Sequence, residues 1–321
     1  MANAIITGGA GFIASHLAEA IESKYDKIFL VDNLVRTGNI RNIEHLLKDI
    51  KYEFLNLDIS NTRDIAVLSN LHEDEGVEVV YHLAATRINR CAKNPYEGHR
   101  FLADGGYYIT EFCAANKIKM FFASTASVYN NPKRFPIEET DPCEPHTIYG
   151  AAKYYTEGLM RSFAKNYNLE YSICRFFSVY GVRMDCEGAY TEIIFNWLNN
   201  INKGDNRVTV FGNPDEKVLD LVYVKDVVNA ILKATEEWNN EVYNVSTETG
   251  VTITELIKTI SKTLDVDLEV SIKAENRTDI EKKRVGSVTK LKSTGWKPQY
   301  DLSKGIKETY EWINYLNNIK W

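Results

Sequence analysis

The sequence predicts an α/β fold: a doubly wound parallel sheet followed by a smaller mixed C-terminal lobe. Three observations predict it. Short β-branched apolar runs alternate with stretches of helical spacing, the pattern of successive strand–helix–strand units. A length of 321 residues exceeds the roughly 150 of an average domain, so about two packed units are expected. After about Arg175 the rhythm loosens into loops holding Gly181, Gly188, Gly204 and Gly212.

The elements follow in order. Runs suited to buried strands are Ala4–Thr7, Ile28–Asp32, Tyr52–Asn56, Val77–Leu83, Lys119–Thr125 and Tyr171–Phe176. Between them, Ile13, Leu17, Ala20 and Ile21, and again Ile40, Ile43, Leu46 and Leu47, fall at the i, i+3, i+4 spacing of a helix face. A helix is expected over Tyr149–Phe163, and two more near Thr252–Leu264 and Leu302–Asn317. No Pro/Gly-rich linker or repeat divides the chain.

Composition narrows the function classes. The 44% hydrophobic and 26% charged residues are those of a folded globular chain. Lys and Arg total 38 against 44 Asp and Glu, a net charge of -6, and no basic run is present; this argues against nucleic acid as a partner. No apolar stretch approaches the ~18 residues of a membrane span, and no basic segment precedes the first apolar one, so no membrane association is expected. Cys91, Cys113, Cys143, Cys174 and Cys186 are odd in number and lack a C-x-x-C pair, which fits a reducing cytoplasm better than a disulfide framework or a zinc site. No metal site is expected. Nineteen tyrosines are an excess, read mainly as packing.

The first strand runs into Thr7-Gly8-Gly9-Ala10-Gly11-Phe12-Ile13-Ala14. A strand, a glycine turn and then an apolar-periodic helix is the setting a Rossmann-type dinucleotide site requires. Gly8 permits the tight turn, Gly11 lets backbone approach a pyrophosphate, and Ala14 keeps helix close to strand. Eighteen residues after Ala14 the second strand ends in Asp32, an acid able to accept both ribose hydroxyls, which favours NAD. Arg36 nearby keeps NADP open, and a helix cap is the plainer role for Asp32.

The catalytic candidate is Tyr149-Gly-Ala-Ala-Lys153. Positions i and i+4 share a helix face, so phenol and ammonium address one point, and the lysine charge lowers the tyrosine pKa toward that of a usable base. Tyr-x-x-x-Lys occurs three times, at Tyr129/Lys133, Tyr149/Lys153 and Tyr300/Lys304. The first holds Pro132 and the last lies far from the nucleotide half. Only Tyr149/Lys153 has a strand ending in hydroxyls, Ser124-Thr125, to complete it.

Together with Leu57-Asp58, His82-Leu83-Ala84-Ala85, Arg175-Phe-Phe-Ser-Val-Tyr-Gly181 and Gly295-Trp-Lys-Pro298, these motifs resemble the extended short-chain dehydrogenase/reductase family, in its NAD-dependent nucleotide-sugar epimerase/dehydratase group, and most of all the 4-epimerases. The resemblance spans the whole chain. It implies Thr125, Tyr149 and Lys153 as the catalytic triad. It implies an NAD site of Gly8, Gly11, Phe12, Ile13, Asp32, Asn33, Asp58, Ile59, Leu83, Ala84, Ala85, Ser124, Tyr149 and Lys153, with Asp58 and Ile59 at the adenine. Residues 1–175 would bind NAD, with a return segment near 207–237, and 176–321 would hold the sugar nucleotide. A homodimer through Glu97–Asn116 and Tyr149–Lys165 is implied as well.

The implied chemistry is oxidation of the sugar at C4 to a 4-keto species, then either return of the hydride (epimerase) or release (dehydrogenase or reductase). Relatives that dehydrate the sugar carry carboxyl residues after the threonine, and decarboxylating ones keep a glutamate; here Ala126 and Ser127 follow, which leaves 4,6-dehydration without its acid and base. A non-catalytic NAD-sensing scaffold would be expected to lose the tyrosine or lysine, and both are present. Other positions depart from the pattern. Ser178 stands for an Asn, Leu102 for another, and Leu219-Asp220-Leu221 for Arg-Asp-Phe. Substrate contacts are therefore expected from Thr125, Ser178, Lys217 and Arg277, and from Arg87 or Arg90 in the short loop Thr86–Asn94.

Overall fold

The apolar runs do pair into one sheet. A computed structural model of the chain describes residues 2–35, 39–129, 132–184, 192–274 and 283–318. Strands β1 (Asn3–Thr7), β2 (Lys27–Asp32), β3 (Tyr52–Asn56), β4 (Val77–His82), β5 (Lys119–Thr125) and β6 (Tyr171–Phe176) join Glu241–Val245 in a seven-stranded sheet. Its order is Glu241–Val245, β6, β5, β4, β1, β2, β3, and the pairings β3/β2, β2/β1, β1/β4 and β4/β5 are all parallel. Strand order thus reverses between β1 and β4, where Thr7 stands opposite Val31 on one side and His82 on the other. In such sheets the crevice at the carboxyl ends beside this reversal is where ligands bind.

By compactness the chain divides into two units. The first holds residues 1–130, 142–175 and Val228–Tyr243. Its core packs Ile5, Phe29, Val31, Val80, Met120 and Phe122 from the strands against Leu68, Ile109, Phe112 and Met160 from the helices. Helix Ile148–Tyr167 shows why the sequence folds this way locally. Thr147 caps it by accepting from the Gly150 N–H at 3.0 Å, and Asn168 ends it in the left-handed conformation. Its buried stripe is Gly150, Lys153, Thr156, Glu157 and Met160, so two ionisable side chains stand on an otherwise core-facing surface.

The second unit holds residues 131–141, 176–227 and 244–321. Ser178–Tyr180 and Lys283–Arg284 pair parallel with Val218–Tyr223, and Gly250–Thr252 pairs antiparallel with it. A capping box of Thr252 and Glu255 opens helix Ile253–Leu264. Tyr223 stacks on Tyr300 (4.4 Å between centroids) and meets Tyr180 edge-on at 5.5 Å, so part of the tyrosine excess is core.

Three expectations change. The return segment near 207–237 is Val228–Tyr243. Strand Arg207–Phe211 instead pairs with Glu269–Lys273 in the second unit, burying Val208 and Val210 there. The Ile40–Leu47 stretch forms two short 3-10 turns, Asn39–Asn42 and Leu46–Lys48, because apolar residues three apart satisfy that tighter turn as well as a helix. The implied helix Glu97–Asn116 is split into Pro95–His99, a π turn at Arg100–Asp104 and helix Gly105–Asn116.

Candidate active site

The glycine turn is built by close backbone approach. Gly8 has φ +69, and a Cβ there would lie 2.7 Å from Ala84 Cα and 2.8 Å from Ala84 N. No other residue fits without moving β4's exit away. Gly11 donates its N–H to Gly8 O (2.8 Å), and helix Phe12–Ala20 then begins with no side chain capping it, which leaves N–H groups of its first turn for an anion. Asp32, the last residue of β2, accepts from Ala10 N (3.2 Å) and Leu34 N (3.0 Å), and burial raises its carboxyl pKa. Tied to the turn in this way, the acid is fixed at the place a ribose would need it. A cradle that a single Cβ would fill, and an acid anchored beside it, fit a dinucleotide.

Other expected cofactor residues are placed as follows. Asn33 turns its side chain to Val35 N, and Phe12 and Ile13 open the helix. Asp58 accepts from Ser60 N (2.9 Å) and Oγ (2.6 Å) and from Arg100 at 3.4 Å, while the Ile59 side chain is in the core. Leu83 N donates to Thr7 O, and Ala84 N to Thr7 Oγ1; Ala85 follows, exposed. Ser124 gives its hydroxyl to Glu157 at 2.6 Å. Arg36 and Arg277 lie outside the described residues.

The hydroxyl strand and the Tyr149 helix meet through backbone. Thr125 Oγ1 accepts from Ser127 N (3.1 Å), holding the turn Ala126–Val128, and a Cβ at Gly150 would fall 2.5 Å from Ser127 O. The glycine after the tyrosine therefore lets the helix start settle onto the end of β5. Tyr149 packs with Cys91, Leu102, Ala103 and Ala152. One turn on, Lys153 is 2% exposed, donates Nζ to Ala123 O at 2.8 Å and lies 4.7 Å from the Phe122 ring centroid. Burial pushes its ammonium down to about 7, against a small opposing effect of Cys91. His82 stacks on the same Phe122 ring and shares a 2.6 Å hydrogen bond with Thr7 Oγ1. Burial, then the nearby Lys153, lowers its pKa to about 3, so it is neutral.

Behind this pair lies a buried charge cluster that the sequence reading did not include. Glu157 is wholly buried and accepts from Ser124, from Arg175 Nε (2.9 Å) and Nη2 (2.6 Å), and from Arg161. Arg175 also donates to Tyr129 OH (2.8 Å). The legible signal was an acid four residues after Lys153 on the buried stripe, facing a strand whose apolar run contains one arginine. Lys153 grips residue 123 and Glu157 grips residue 124, so one helix face fixes the end of β5 twice.

The expected substrate residues among those described are placed as follows. The Thr86–Asn94 segment is helical over Ile88–Lys93; Arg90 is ion-paired with Glu97, and Arg87 precedes the helix. Ser178 and Lys217 belong to the second unit, where Ser178 opens a strand opposite Leu221 and Lys217 O accepts from Ile253 N. Asp220, in the Leu-Asp-Leu departure, is buried and accepts from Thr247 and Gly286.

A family profile described as the NAD dependent epimerase/dehydratase family matches residues 4–246. The chain belongs to that family. It is accordingly an NAD-dependent enzyme. A Methanocaldococcus jannaschii protein provisionally named a UDP-glucose 4-epimerase is 35% identical over 324 residues, covering 98% of this chain and 99% of its own. The crystal structure of a Thermotoga maritima UDP-glucose 4-epimerase with UDP-glucose superposes at a TM-score of 0.89, with 32% identity and coverage of 98% and 100%. That of a Thermus thermophilus UDP-glucose 4-epimerase with NAD gives 0.86, 26% identity and coverage of 97% and 98%. Among the described residues no helix is long and apolar enough to cross a membrane.

Proposed function

We propose that the enzyme epimerises a nucleotide-diphosphate sugar at C4, with a UDP-hexose as the first substrate to test. The observation that carries this is the end of β5: Thr125 is followed by the buried turn Ala126–Val128, which offers no carboxyl group to a sugar, while Tyr149 and Lys153 are kept on the adjoining helix. Acid–base work is thereby limited to the phenol, as inversion at one carbon requires and dehydration does not.

Gly8, Gly11 and the first turn of helix Phe12–Ala20 would hold the pyrophosphate of NAD, and Asp32 the adenosine ribose. When bound, NAD provides the acceptor and later donor of a hydride at C4. The protein's part is a proton and its placement. Tyr149 takes the proton from the C4 hydroxyl and returns it. Thr125 Oγ1 already accepts from Ser127 N, so its own O–H is the group left to donate to the sugar oxygen. Lys153 spends one donor on Ala123 O and has others for the nicotinamide ribose and the tyrosinate. Lacking a carboxyl base, the site leaves the 4-keto sugar to turn over and be reduced on its other face.

A net C4 dehydrogenase or reductase is the second reading, favoured by Leu219 and Leu221 flanking the buried Asp220 where an arginine was expected. Incubation with UDP-, dTDP-, GDP- and CDP-sugars, followed by NMR, separates the two: C4 epimers formed without added NAD support the first, and keto or reduced products matched by cofactor turnover overturn it. Tyr149→Phe should lower kcat at least about a hundredfold; full turnover would remove Tyr149 as the base. A homodimer through helices Gly105–Asn116 and Ile148–Tyr167 is part of the proposal, supported by the exposed Tyr155 and Tyr167. So is a cytoplasmic setting, which five scattered cysteines with no C-x-x-C pair support.

A further inference from the structure

Among the described residues, strand Glu269–Lys273 pairs on one side only, with Arg207–Phe211, and it is exposed along its whole length. The parallel register sets Val270 beside Val208 and Ile272 beside Val210, so these four side chains share one face. Val208 and Val210 are 0% and 2% exposed, whereas Val270 and Ile272 are 47% and 62% exposed. The apolar face of this small sheet thus runs on past the core that covers its inner strand. Bare aliphatic groups on an open edge are what edge strands ordinarily avoid.

Backbone and charge together point to the occupant. Glu269 N donates to Asn206 O, and Lys273 O accepts from Gly212 N, so residues 269, 271 and 273 turn their peptide groups inward. The peptide groups of Val270 and Ile272 therefore face outward along the open edge. Read backwards, Glu-Val-Ser-Ile-Lys exchanges acid for base and aliphatic for aliphatic around a central serine. An antiparallel pairing of two copies about Ser271 sets Val270 of each opposite Ile272 of the other. Their outward N–H and C=O groups are then the ones exchanged across the pair. The same register sets Glu269 opposite Lys273 at both ends, a favourable cross-strand pair on the other face. Within the chain, Arg207 is the in-register neighbour of Glu269, and it is engaged by Asp205 at 2.8 Å. A parallel pairing would instead set like charges side by side, and a one-residue slip would oppose aliphatic to polar side chains.

We infer that this edge pairs with itself: Glu269–Lys273 of two copies of the chain join as antiparallel strands about a two-fold axis at Ser271. The residues involved are none of those in helices Gly105–Asn116 and Ile148–Tyr167, and the inference does not depend on the catalytic reading. Such a short edge offers far less than the ~800 Å² per partner of a standard interface, so the association is weak and reversible.

The test uses the full-length chain. Ser271→Cys places two thiols at the axis, where opposed Cα atoms of a non-hydrogen-bonded pair lie about 4.5 Å apart, within disulfide reach. Mild oxidation should link two copies, seen on a non-reducing gel, at least about tenfold faster than for Glu269→Cys, whose thiols this register holds four residues apart. Equal rates for the two variants, or no linked dimer beyond that of the wild type, would overturn the inference. Ile272→Pro removes an outward N–H that an edge strand can spare, and Ile272→Lys keeps the backbone but charges the apolar face. In sedimentation at about 200 µM each should approach half the wild-type mass, with the far-UV circular dichroism unchanged. Wild-type and variant masses that coincide would overturn self-pairing and leave the edge to a strand of a different protein.

Discussion

Two parts of the first unit hold their geometry by opposite means. The glycine turn is set almost wholly by backbone: Gly8 against Ala84, Gly11 N–H on Gly8 O, and Ala10 N–H on Asp32. The underside of the Tyr149 helix is set by ionisable side chains out of water, Glu157 with Arg175 and the Ser124 hydroxyl, and Lys153 on Ala123 O. A backbone cradle tolerates no added atom but carries little electrostatic risk. A buried ion cluster fixes the register of a whole helix, and becomes a liability the moment one partner is lost. The first kind builds the turn proposed to bind the cofactor, and the second underlies the helix proposed to react.

Breaking the charged side should have the largest effect. Glu157→Ala leaves Arg175 buried without its carboxylate and should destabilise the protein by about 3–5 kcal/mol in urea unfolding. The double variant Glu157→Met/Arg175→Leu should recover much of that, since no lone charge remains; a double variant as unstable as the single would mean that packing, not charge, dominates.

Lys153 gives the same side a pH signature. Unfolded, it titrates near 10.5; folded, near 7. Between those values the unfolded chain binds the additional proton, so this contribution to stability rises with pH from about 7 to 10.5 and is lowest, and level, below 7. Lys153→Met should flatten that slope by an amount on the order of a few kcal/mol. Chemical denaturation at several pH values checks it.

The backbone side should respond differently. Gly8→Ala is disfavoured both by the positive φ and by Ala84, so a loss of about 2 kcal/mol is expected. NAD affinity should fall far more than the stability does, because the turn opens at the binding surface; equal losses in both would erase the contrast between the two regions. The smallest effect is Thr147→Ala, which removes the helix cap at a loss of about 1 kcal/mol and should reach kcat only through the placement of Tyr149.

Legibility in the sequence followed the same division. The strands and the glycine turn were readable because their signals are local, a β-branched run or glycines at fixed spacing, and Asp32 was readable from the end of the next run. The Glu157–Arg175 pair was not, because the partners are 18 residues apart and meet only through the packing of helix on sheet. Gly150 passed as part of a motif, yet its role depends on Ser127, which approaches from another element. Two rejected tyrosine motifs resolve into packing: Tyr300 lies between Tyr223 and Lys304, and Tyr129 supports Arg175. The misplacement of residues 207–211 has a simple cause: two alternating valines between turns look alike wherever the strand pairs.

The late arrival of Val228–Tyr243 has a consequence for how the chain is made. Strand Glu241–Val245 is the edge next to β6, and Asn240 joins them by giving its N–H to Tyr171 O and accepting from Tyr171 N at 2.7 Å. During translation, residues 176–227 of another unit must emerge before that edge can form. Until then β6 presents an unpaired flank, open to other chains. A fragment stopped at Arg175 would carry the glycine turn, the tyrosine and the lysine, and still lack the strand that closes its sheet.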